Sequence, residues 1–178
     1  VARLQHDLPG IRRYFLSAHF WLMALCAPVA IGGALVATDL VALLFADRWS
    51  GAGAILALLC VSAAFRLSGM MMPPVLEGLR HADFLVRYSM VSAAVLIPAF
   101  VIGSRAGGAI GVAAAWAVLA PVLWAGLVLS TLRWLELGHR EFARSMLPIV
   151  TALIAMVLAV LLARRESAGL ALVARLGV

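Results

Sequence analysis

Residues 88–132 read YSMVSAAVLIPAFVIGSRAGGAIGVAAAWAVLAPVLWAGLVLSTL, and Arg105 is the only charged residue among them. One membrane crossing takes about 20 mainly apolar residues, so this stretch is too long for one helix and long enough for two. The glycine-rich GSRAGG at 103–108 supplies the turn between them, because glycine is the weakest helix former after proline. The sequence therefore predicts a pair of spans at 88–104 and 108–132.

Outward from this pair the chain repeats the pattern. Phe15 to Thr38 is uncharged, with the polar His19 and, near its middle, Pro28. Trp49 to Leu76 is broken by the single charge Arg66 and closed by Pro73–Pro74, which gives a span at about 53–73. Ser145 to Ala163 predicts a last full span at 146–163, with Pro148 in its first turn where a missing N–H costs nothing. Residues 1–14 form a polar leading segment. After Arg164, Arg165 and Glu166 the apolar 168–178 is too short to cross alone, so 164–178 reads as a polar turn followed by an interfacial or truncated sixth helix. The fold class is all-α, an integral membrane bundle of five to six transmembrane helices.

Composition agrees. Apolar residues are 65% of the 178, charged residues 12%, and mean hydropathy is +1.09, whereas soluble domains carry about 25% charged residues. All 14 basic residues are arginine, giving a net charge of +6. They fall in short clusters between apolar runs, which fits topology signals and not a nucleic-acid face. Eight of them (Arg3, Arg12, Arg13, Arg80, Arg87, Arg133, Arg140, Arg144) lie on one side of the expected bundle and four (Arg48, Arg105, Arg164, Arg165) on the other, which puts the N-terminal segment in the cytoplasm. Tyr14, Trp49, Tyr88 and Trp134 mark span edges, where amphipathic rings prefer the headgroup level. No signal peptide is visible, and a start at Val1 is expected of a piece of a longer protein.

The residues that could carry chemistry are few. His6, His19, His81 and His139 have no metal-ligand spacing to carboxylates or thiols, and no phosphate-binding glycine loop or nucleophile elbow occurs, so no metal, cofactor or enzymatic activity is expected. Cys26 and Cys60 read as packing residues. Arg66 has two readings: a cation on a wet cavity that attracts an anionic headgroup, or a side chain that snorkels to an interface. Asp39 is a proton or ion site, or a solvated helix end. His19 titrates near neutrality, or hydrogen-bonds a neighbouring helix. The Met70–Met72 run reads as adaptable packing. Gly107, Gly111 and Ala115 allow close helix approach. Mid-span Pro28, Pro98 and Pro121 favour a protein that changes shape.

The stretches ARLQHD, IRRYFLSAHFWL, DLVALLFADRWSGAGAILALLC and VLEGLRHADFLVRYSMVSAAVLIP resemble the C-terminal lobe of the bacterial polysaccharide or oligosaccharide flippases, within the multidrug/oligosaccharidyl-lipid/polysaccharide exporter superfamily. The LLF-x-x-RW run from Leu43 to Trp49 is similar to the family's leucine-rich run ending in tryptophan. In the loop holding Gly78, Arg80, His81 and Asp83, the aspartate matches, whereas Arg80 stands where glycine is usual and His81 where arginine is usual. That departure bears on the loop's tight turn. The resemblance implies half of a two-lobed transporter, a lipid-linked glycan of the undecaprenyl-pyrophosphate type as cargo, a lipid bilayer around it, and a missing N-terminal lobe or partner chain. It implies cationic side chains in the cavity, for which Arg66 is the candidate. A membrane glycosyltransferase, a drug-exporting relative and an inert or structural membrane fragment are the competing readings.

Overall fold

The computed structural model describes residues 8–45, 49 and 51–175, with side chains described as far as Arg165. All regular structure among the described residues is helical: α1 (Leu8–Phe45), α2 (Ala52–Gly69), α3 (Met72–Gly78), α4 (Ala82–Trp134) and α5 (His139–Arg175). Among the described residues four helical stretches are long and apolar enough to cross a membrane: Leu8–Phe45, α2 with α3, Ala82–Trp134 and His139–Arg165.

The 53-residue α4 is not one rod. Gly107 (φ −153°, ψ 19°) and Gly108 (φ 58°, ψ −135°) leave helical geometry, and Gly108 takes a left-handed φ that costs glycine least. The two legs then pack side by side: Phe100 lies 5.6 Å from Trp116 between ring centroids, and the Tyr88 hydroxyl donates to the Leu123 carbonyl at 2.9 Å. Each leg is long enough to cross a bilayer.

Four boundaries differ from the sequence reading. Pro73–Pro74 begin α3 instead of ending a span, since a helix tolerates proline in its first turn. Pro148 lies inside α5 and not in its first turn, because the helix already starts at His139, where Glu141 suits the positive end of the dipole. The expected polar turn at 164–166 is absent: α5 stays helical through Arg175. The leading polar segment is likewise helical from Leu8. Asp47 and Arg48 of the LLF-x-x-RW run, and Arg3, lie outside the described residues.

The loop with Arg80 does form a tight turn. The His81 N–H bonds the Leu76 carbonyl and the Arg80 N–H that of Glu77, the paired bonds of a helix end whose penultimate residue is left-handed. Arg80 sits at φ 63° in that position. The end of α4 repeats the device, with Leu137 to Leu132, Glu136 to Arg133, and Glu136 at φ 47°.

Packing is concentrated at this arginine-rich end. Ile11 and Phe15 of α1, Met72 and Leu76 of α3, Leu132 and Leu135 around the end of α4, and Phe142 of α5 make one buried cluster. Arg12 ties it down: its Nε donates to the Leu135 carbonyl, and its guanidinium pairs with Glu136 at 2.9 Å. At the opposite end Arg164 pairs with Asp39 and donates to the Leu35 carbonyl.

Large apolar side chains also face outward. Trp21, Leu25 and Val29, at four-residue steps on α1, are about 70% exposed, while the buried polar residues His19, Ser62, Ser68 and Thr131 lie inside. Apolar side chains can face outward in this way only where the solvent is itself apolar.

Candidate functional site

Arg66 is in the last turn of α2. Carbonyls at a helix end carry partial negative charge, so a cation there is favoured. The break that follows has a sequence cause: Pro73 and Pro74 have no N–H for the carbonyls four residues back. A helix that would otherwise run on is therefore interrupted just past the arginine.

The Arg66 side chain is exposed and makes no hydrogen bond or ion pair among the described residues. It borders two adjoining hollows between α2 and the α4 hairpin. One, of about 330 Å³, is walled by Phe65, Tyr88, Ser92, Trp116 and Trp124. The other, of about 570 Å³, is walled by Ile55, Phe100, Ala113 and Trp116. Ser92 and Ala120 come from the middles of the two legs, so Arg66 stands near mid-height of the bundle. The aromatic walls are braced: Phe65 meets Trp124 edge-on at 5.6 Å, and Trp116 packs on Phe100. A guanidinium in an apolar, aromatic-sided groove can grip a phosphate through two parallel N–H···O bonds.

His19 and Asp39 lie elsewhere. His19 is 1% exposed, between Phe15 at 5.5 Å and Phe142 at 5.3 Å. Its Nε2 is 3.2 Å from the Ser68 hydroxyl, which accepts the Trp124 indole N–H at 2.8 Å. This node joins α1, α2 and the second leg of α4. Asp39 is exposed and taken by Arg164. The structure thus separates the three residues. No group of three or more metal-ligating side chains occurs among the described residues.

Tyr88, Trp116 and Trp124 are wall residues that the sequence reading did not single out for this role. The signal was present for Trp116 and Trp124: a tryptophan deep inside an apolar span is away from the interface where membrane tryptophans collect.

A bundle of long apolar helices whose large apolar side chains face outward is a multi-pass helical membrane protein. Over 111 residues the chain is 29% identical to an Escherichia coli (strain K12) protein described as "Lipopolysaccharide biosynthesis protein WzxC". The alignment covers 62% of this chain and 23% of that protein, so the chain corresponds to about a quarter of its relative. No family model matches the chain, and no solved structure does.

Proposed function

We propose that this chain is the C-terminal lobe of a transporter that flips lipid-linked oligosaccharide, of the undecaprenyl-pyrophosphate type, across the bacterial inner membrane for surface polysaccharide assembly. The observation that carries the reading is Arg66, an exposed guanidinium without a partner among the described residues, at mid-height on an aromatic-walled groove. An arginine at that depth is costly unless something anionic or wet meets it. The pyrophosphate fills that role, while the isoprenoid chain stays in lipid. The similarity to a lipopolysaccharide biosynthesis protein points the same way.

In this reading the α4 hairpin supplies two crossings and the bundle five in all. The exposed Arg13, Arg80, Arg87, Arg133, Arg140 and Arg144 mark the cytoplasmic end, together with the N-terminus of α1. The groove is one wall of a cavity whose other wall is a partner lobe. No bond in the cargo is made or broken, so the protein is a carrier and not an enzyme.

The test is complementation in a strain lacking its lipid-linked glycan flippase. The chain is expressed alone, with an N-terminal lobe, and with Arg66→Ala in that pair. Surface glycan restored only with the added lobe, and lost with Arg66→Ala, is the expected result. Drug resistance without restored glycan would assign the chain to the drug-exporting relatives. Correct insertion with neither phenotype would leave an inert or structural membrane fragment.

A further inference from the structure

His19, Met23, Ala27 and Ile31 follow one another at four-residue steps down one face of α1, and all four border a single cavity of about 430 Å³. Twelve residues of helix rise about 18 Å, close to the depth of one leaflet of a hydrocarbon core about 30 Å thick. Met146, Ile149 and Leu153 of α5 line the facing wall. The cavity is therefore a slot running along the helices. It is polar only at the end held by His19 and Ser68, and apolar along the rest of its length.

The polar end is incompletely satisfied. The Trp124 N–H occupies the Ser68 oxygen, and the Ser68 hydroxyl has no acceptor among the described residues other than His19 Nε2. The ring proton of His19 then belongs on Nδ1, which is buried with no partner among the described residues. The rest of the slot poses a second demand. Its apolar walls, which include the exposed Ala143 and Val150, are favoured in contact with hydrocarbon over water.

We propose that the slot is a binding site for one hydrocarbon chain of a membrane lipid, with the lipid's ester or alcohol oxygen at the His19 end, and that α5 is the wall that moves to admit it. The fastening of α5 suits that movement. Glu136, just before the helix, is held by Arg12, and Arg164 near its other end by Asp39. Between Ile149 and the Arg164 tie no residue of α5 is buried. The inference concerns the interior of this bundle and does not depend on the Arg66 groove or on what the protein transports.

The test uses the unaltered chain in two sets of vesicles. One contains a phosphatidylethanolamine with a diazirine within its acyl chain, the other a polyprenol carrying the same photoreactive group, and labelled residues are mapped by mass spectrometry after illumination. Met23 and Ile149, each only 8% exposed, are expected to be labelled alongside outward residues such as Trp21, Leu25 and Leu147. Labelling in the first set identifies an acyl chain as occupant, and in the second an isoprenoid. Filling the slot with Ala64→Leu is expected to reduce labelling of Met23 and Ile149 severalfold and to leave the outward residues unchanged. Outward labelling with Met23 and Ile149 blank in both sets would overturn the proposal, as would undiminished labelling of the two in the Ala64→Leu protein.

Discussion

A Cβ on Gly103 would stand 2.6 Å from the carbonyl oxygen of Gly111, so the two legs of α4 meet backbone to backbone at that height. Approach this close is how membrane helices gain packing energy where no hydrophobic force drives them together. It also fixes the angle between the legs, and with it the spacing of Phe100 and Trp116 on the Arg66 groove.

Gly111→Ala is therefore expected to pry the legs apart. Overpacking of this kind costs about 1–3 kcal/mol, read as a fall in the thermal midpoint of the detergent-solubilised protein. Gly126→Ala is the contrast, because a Cβ there meets nothing within 4 Å. That substitution should be neutral or stabilising by up to about 1 kcal/mol through helix preference alone. Equal losses from the two changes would rule out the close approach as the cause.

A second prediction concerns the left-handed Arg80. A side chain in that conformation costs about 1–2 kcal/mol relative to glycine, so Arg80→Gly is expected to raise stability by about 1 kcal/mol, and Arg80→Val, whose branched Cβ worsens the clash, to lower it. Denaturation of the purified protein measures both. If Arg80→Gly lowers stability as Arg80→Val does, the turn is not strained at this residue.

These positions also show what could be read from the chain itself. The hairpin was legible because a stretch bearing only Arg105 exceeds one crossing and has its glycines in the middle. The departure at Arg80 was visible as a missing glycine, and the structure gives it a physical meaning as a left-handed residue. The helix starts at Leu8 and His139 were not legible, since the hydropathy that marks a span falls off where a helix leaves the membrane and continues in water. Arg66 drew attention as a charge among apolar residues, but its place in the last turn of α2 was hidden: the chain reads apolar through Gly69 to Met72, and the proline pair looked like an end. Nor could spacing show that His19 meets Ser68, 49 positions away along the chain, or that Ser68 meets Trp124, because residues far apart in sequence are brought together only by helix packing.

The Arg12 contacts separate two kinds of polar stabilisation. Arg12→Ala removes a bond to the Leu135 carbonyl and should cost about 1 kcal/mol. Glu136→Gln removes only the ion pair, whose carboxylate side chain is 75% exposed, and should cost less than about 0.5 kcal/mol. Thermal midpoints at low and high salt distinguish them, because screening weakens the exposed pair and leaves the carbonyl bond nearly intact. Equal losses from the two substitutions would place the stabilisation in the ion pair instead.

The final prediction tests the node on which three helices converge. Ser68→Ala leaves both the Trp124 N–H and His19 Nε2 without their partner, in an interior that offers little water. An unmet buried polar group costs about 1–3 kcal/mol, so Ser68→Ala should destabilise far more than Ser130→Ala, whose hydroxyl only bonds the Gly126 carbonyl of its own helix from an exposed position. Trp124→Phe alone removes the donor and also loses packing. In the double variant the hydrogen-bond loss is counted once, so the Ser68 and Trp124 effects should fall short of additivity by about 1 kcal/mol, within the range that contacting residues show. Strict additivity would mean that the 2.8 Å contact contributes nothing to holding α2 against the second leg of α4.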